Sequence, residues 1–160
     1  MTKKKYSKTV LIATLSMVAI FIFFFQKYIY NAPNYLTVSF LDVDQGDAIF
    51  IEAPNGVQML VDSGPDNSLL QELSKVMNFW DRSIDVVVAT HPDKDHIGGF
   101  PELFKRFEVG YVFDTEVVSD TGIYREYKSE RDESGARLLR AKAGQVIVLD
   151  KEKGVYAEVL

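Results

Sequence analysis

The stretch Thr90-His91-Pro92-Asp93-Lys94-Asp95-His96-Ile97-Gly98-Gly99 constrains this chain more than any other. It holds both histidines of the sequence and two aspartates within six residues. The run Ile84–Ala89 leads into it, and Val86, Val87 and Val88 suit a strand buried on both faces. The cluster therefore falls on the loop between a buried strand and a helix. In layered α/β folds, sites gather at that edge. Imidazole nitrogens and carboxylate oxygens suit Zn, Mn or Fe. One ion hardly needs four ligands from a single loop. Two ions would use them all, with His91 and Asp93 facing one and Asp95 and His96 the other. The competing reading is a solvated loop in which Asp93 or Asp95 caps the following helix.

The first thirty residues differ from the rest. Lys3, Lys4, Lys5 and Lys8 form a basic start, and Val10–Phe25 runs without a charge. As a helix that run spans about 24 Å, short of the roughly 30 Å hydrocarbon core. Extended from Thr9 through Tyr30 it reaches about 33 Å, with Lys27 able to snorkel. Tyr28, Tyr30 and Tyr35 suit an interfacial aromatic belt. The expectation is an uncleaved single-pass membrane anchor over residues 1–30, N-terminus cytoplasmic, with residues 31–160 as an extracytoplasmic domain. A cleaved signal peptide is the rival, but no small-x-small site follows Phe25. Residues 31–34, with Pro33, read as a linker.

Beyond position 30 the balance is 13 basic against 23 acidic residues, or −10. Such a body is not a general nucleic-acid binder. Bound divalent cations would still reverse the field locally. With no cysteine there is neither a disulfide framework nor a thiolate metal site.

The pattern from Leu36 reads β-β-β-α-β-α-β. Strands fall at Leu36–Leu41, Ala48–Glu52 and Val57–Val61, with Pro54-Asn55-Gly56 as a hairpin turn. Helical spacing covers Leu69–Trp80, capped by Asp66 or Asn67, and resumes over Gly98–Phe107. Strands fall again at Ile84–Ala89 and Val109–Phe113. Ser119–Ala143 suggests a broken amphipathic helix interrupted near Ser134-Gly135, and strands follow at Gln145–Leu149 and Val155–Leu160. Strands alternating with helices give a layered α/β arrangement. Trp80 and Phe100 are expected to pack in the core or a hairpin, and Lys94 to be solvated.

The ten-residue loop resembles the H-x-[HD]-x-D-H signature of the metallo-β-lactamase superfamily. Phe40–Ala48 resembles the F-x-D-V-G-Q-G-D-A string of ComEC-type competence proteins, and Leu60–Gly64 their I-D-[ST]-G strand end. The resemblance covers roughly residues 36 to 115. It implies an α/β, metallo-β-lactamase-like αββα sandwich holding two divalent metal ions, usually zinc. His91, Asp93, Asp95 and His96 would be the ligands, and Asp95 would also orient the attacking water. Asp62 and Asp47 would lie behind the ligands, Asp62 hydrogen-bonding one of them, although a turn cap serves Asp62 and a structural turn Asp47 equally well. Asp44 stands where the family has glycine. The Gly-Asp strand end of the superfamily normally lies beyond a region like Val155–Leu160, so the chain is expected to be a C-terminally truncated domain.

The implied chemistry is metal-assisted hydrolysis. A phosphodiesterase or nuclease at the membrane, as in DNA uptake, leads. Hydrolysis of another ester or amide (lactone, lactam or thioester) and an inactive metal-binding remnant are the alternatives. No obligate protein partner is evident.

Overall fold

The computed structural model describes residues 8–30, 35–115 and 117–160, without the side chains of Thr9 and residues 25–30. Lys3, Lys4, Lys5, the linker at 31–34 and the side chains of Lys27, Tyr28 and Tyr30 lie outside the described residues. The chain divides into two units, residues 1–32 and 33–160. In the first, α1 (Lys8–Tyr30) is a helix. Its side chains from Val10 to Phe24 are all exposed. Among the described residues no helix is long and apolar enough to cross a membrane. The helix α1 lies where the sequence places the expected anchor.

The second unit is built on a six-stranded sheet in sequence order: β1 (Thr37–Phe40), β2 (Ile49–Glu52), β3 (Gln58–Val61), β4 (Ser83–Ala89), β5 (Glu108–Asp114) and β6 (Arg137–Arg140). The first three strands are antiparallel, and β3 to β6 are parallel. The parallel crossovers are α2 (Ser68–Val76), then α3 (Lys94–Ile97) with α4 (Phe100–Arg106), then α5 (Gly122–Glu133). A second sheet pairs β7 (Val146–Asp150) with β8 (Val155–Glu158).

Alternation along the strands sets the layers. Leu60, Val87 and Val112 lie in one cross-strand row. They pack with Leu69, Leu73, Phe100, Leu103 and Tyr127 of the helices in the larger core. The other face sends Met59, Val86 and Phe113 against Ile147 and Leu149 of the second sheet. Helices, sheet and ribbon make three successive layers. The ribbon does not cover the β1 edge, where Val38 and Phe40 stay exposed. The apolar side of that strand is thus its solvent side.

Three local expectations are corrected. The helix from Leu69 stops at Val76 rather than Trp80: Met77 turns extended, and its amide returns to the Leu73 carbonyl. Trp80 and Phe79 consequently stand outside the fold, 82% and 71% exposed, whereas Phe100 is in the core. After Glu133 the chain does not resume a helix. Gly135 takes φ 78°, and Arg137–Arg140 pairs with β5, satisfying backbone groups that an edge would leave open.

A buried polar pair fastens α5 to the sheet. The Asp114 carboxylate accepts from the Tyr127 hydroxyl at 2.9 Å and from Arg131. Burial first, and Asp114 next, push the Tyr127 phenol well above its ordinary range, so it stays a donor. Arg131→Ala leaves Asp114 buried without its cation. The expected cost is about 3–5 kcal/mol of unfolding free energy in denaturant titration, against under about 0.5 kcal/mol for the exposed Trp80→Ala.

Candidate metal centre

Three strings far apart in sequence meet at the C-terminal end of β3 and β4. The parallel register places Val61 beside Val88, so the chain leaves both strands at the same edge. From β3 it turns through Asp62, Ser63 and Gly64. From β4 it enters Thr90 and the histidine loop. Asp62 has a left-handed backbone, φ 57°, which costs a non-glycine residue about 1–2 kcal/mol. Hydrogen bonds of its carboxylate hold it there. Oδ1 accepts from the Thr90 amide at 2.9 Å, and Oδ2 from the Thr90 hydroxyl at 2.6 Å. Oδ2 also lies 2.8 Å from His96 Nδ1. Asp62 is 3% exposed, so these partners replace water for a buried carboxylate.

His96 is thereby oriented. Its Nδ1 is engaged by Asp62, which leaves Nε2 for the open side of the loop. His91 sits against it, ring centroids 3.7 Å apart. The ligand atoms of Asp62, His91 and His96 all lie within 4.8 Å of one another. His91 Nε2 is 3.6 Å from Asp93 Oδ2, and His96 Nε2 is 3.8 Å from Asp95 Oδ2. Both separations are too long for a hydrogen bond. Two ligands about 2.1 Å from a tetrahedral ion lie about 3.4 Å apart. The donor set and its spacing therefore fit a divalent metal, and the converging group among the described residues is Asp62, His91 and His96. Asp93 occupies the N-cap position of α3, yet its side chain makes no capping bond. Capping, the competing role for this aspartate, is not what its carboxylate does.

The Asp42–Asp47 string supports the loop from below. Gly46, φ 79°, packs so tightly that a Cβ there would overlap the Asp95 carbonyl. Asp44 has φ 65°, the conformation that glycine adopts without cost. Asp47 reaches the site through its backbone: its carbonyl accepts from the Gly64 amide at 2.9 Å. Its side chain is exposed, as are those of Asp42 and Gln45. Ser63 is a tie that sequence reasoning missed. Its hydroxyl donates to the His96 carbonyl at 2.8 Å and accepts from the Gly99 amide at 3.0 Å. Thr90 was missed as well. Both are small hydroxyl residues flanking the aspartate and the histidines, and adjacency was the only signal.

Comparison with known proteins finds likeness over the same part of the chain. The model of the metallo-beta-lactamase superfamily matches residues 41–116, the part of the chain that carries all three strings. The match covers just under half of the chain. A metallo-beta-lactamase from Cronobacter sakazakii shares the fold with a TM-score of 0.50 at 13% identity, covering 73% of this chain and 51% of that one. Rm3 metallo-beta-lactamase does so with a TM-score of 0.52 at 14% identity, covering 78% and 48%. A coenzyme F420H(2) oxidase of Methanocaldococcus jannaschii is 41% identical over 49 residues, which is 31% of this chain and 12% of that protein. The chain thus spans about half of these metallo-beta-lactamases and a smaller part of the curated relative.

Gly46→Ala tests the packing under the histidine loop without any metal. The overlap and the left-handed backbone together should cost about 2–4 kcal/mol in thermal or denaturant unfolding. Gly122→Ala, where an added Cβ meets nothing within 4 Å, is the matched control.

Proposed function

We propose that this chain is a membrane-anchored, metal-dependent hydrolase of phosphodiester bonds, with His91, Asp93, Asp95 and His96 as ligands of two divalent cations, most readily zinc. The observation that carries the reading is the pairing of each histidine with an aspartate at 3.6 and 3.8 Å on one strand-end loop. When bound, such cations lower the pKa of a water and neutralise charge developing on the scissile group. The protein's own part is positional. Asp62 holds His96 by Nδ1, Thr90 holds Asp62, and Asp95, half exposed, orients the attacking water. The phosphodiester preference, and with it a part in DNA uptake, rests on the likeness of Phe40–Ala48 to ComEC-type competence proteins.

The anchor rests on the sequence of residues 1–30. Lysines at 3, 4, 5 and 8 precede an uncharged apolar run, which favours a cytoplasmic N-terminus and an outer domain. Protease added to intact cells should remove the domain; digestion only after lysis would overturn this orientation.

Hydrolysis of a lactam or a related amide or ester is the second reading, favoured by the fold shared with metallo-beta-lactamases. A screen of a chromogenic phosphodiester against a chromogenic lactam separates the two. Purified protein should carry about two zinc or manganese ions. His96→Ala should lower turnover at least about 100-fold, and unchanged turnover would refute its assignment. Asp62→Asn keeps the shape but removes the carboxylate behind His96. It should weaken metal binding about 10- to 100-fold in a chelator competition.

A further inference from the structure

The loop from Met77 to Arg82 ends in two large aromatic side chains that the fold does not use. Phe79 and Trp80 meet edge to face, ring centroids 4.9 Å apart, on the outside of the protein. A hydrogen-bonded turn holds them there. The Asn78 side chain accepts from the Trp80 amide at 3.2 Å, and the Asn78 carbonyl from the Asp81 amide at 2.9 Å. Asp81 turns its carboxylate inward, accepting from Ser83 and from Gln58 Nε2 at 2.8 Å. The charge at the tip thus points back into the fold and the rings point away from it. Beside them lies an apolar cavity of about 200 Å³ lined by Leu70, Leu73, Met77, Phe79 and Phe107, with the Arg82 guanidinium over the Phe107 ring.

The position of the tip identifies its partner. Trp80 precedes β4, so it lies at the N-terminal end of the parallel strands, opposite the metal loop. Thr37 pairs with Glu52, and Glu52 with Gln58, so β1 begins at that same edge. Tyr35 and Leu36, where the chain enters, are exposed there too. The chain comes to this edge from the segment that carries the apolar helix. Tryptophan and its neighbours with an apolar body and a polar tip favour the headgroup layer of a bilayer.

We infer that the Phe79–Trp80 tip docks into the interfacial layer of the membrane that holds the N-terminal helix. The inference rests on the proposed anchor. Docking fixes the orientation of the domain. β4 rises about 20 Å from the tip edge to the histidine loop. The metal site then faces away from the bilayer, open to substrate from the aqueous phase.

Trp80 is the only tryptophan in the sequence, so its fluorescence reports on this tip alone. The test uses the full chain reconstituted in phosphatidylcholine–phosphatidylglycerol vesicles. The expected result is a blue-shifted emission, protection from acrylamide severalfold greater than in detergent-free buffer, and quenching by lipids brominated near the headgroup. Phe79→Ala should reverse part of the shift while the chain stays with the vesicles. A chain that floats with the vesicles but leaves Trp80 fully open to acrylamide overturns the docking and leaves the anchor standing. A chain that does not float with them overturns both. A blue shift that follows protein concentration and not lipid assigns the tip to a second copy of the chain and overturns the membrane partner.

Discussion

The buried carboxylate of Asp62 is the contact on which the site depends. It joins the end of β3 to the loop after β4 by taking two donors of Thr90 and one ring nitrogen of His96. Removing any one donor leaves a buried acceptor short of a partner, at a cost of about 1–3 kcal/mol. That mutual satisfaction is what maintains the left-handed backbone at Asp62, and the turn in turn aims Ser63 at the His96 carbonyl and the Gly99 amide. Histidine orientation, loop path and strand pairing are thus one cooperative unit. A change at Thr90 or Ser63 would be felt at His96 without altering either histidine.

The sheet supplies the framework for that unit. Parallel pairing of β3 with β4 carries Asp62 and Thr90 to one edge, and the crossover α2 between them packs Leu69 and Leu73 under the same strands. An antiparallel β3–β4 pair would send the two chain ends to opposite edges and could not assemble the site. Gly46 and Gly98 then allow neighbouring turns to approach more closely than a side chain permits.

Much of this was legible in the residues. The valine run announced a two-face strand, and the β-β-β-α-β-α-β order follows from turn signals and periodicity that agree with each other. The histidine loop was legible because its residue types are rare and crowded. What escaped depended on distant partners. Thr90 and Ser63 act on groups 28 and 36 residues away, and a lone hydroxyl residue carries no periodic signal. The end of α2 was misjudged because Trp80 continues the helical spacing of Leu69, Leu73 and Val76. The backbone instead follows Asn78, whose side chain bonds the local turn and competes with the helix. The strand Arg137–Arg140 was hidden for a related reason. Leu138 and Leu139 are as compatible with a helix as with a strand, and the choice falls to the open edge of β5.

Charge bears on which substrate such an edge can accept. Asp62, Asp93 and Asp95 bring three carboxylates to a loop whose nearby cation is Lys94. Bare, that edge is negative, on a body that is already acidic, and it repels a phosphodiester. Two divalent cations would add four positive charges within a few ångströms and reverse the sign there. The field of the rest of the body is screened over about 8 Å at physiological ionic strength. On the proposed reading, attraction of an anionic substrate is therefore a property of the loaded loop and not of the protein surface. Capture by long-range steering, which works for basic nucleic-acid binders, is closed to this chain.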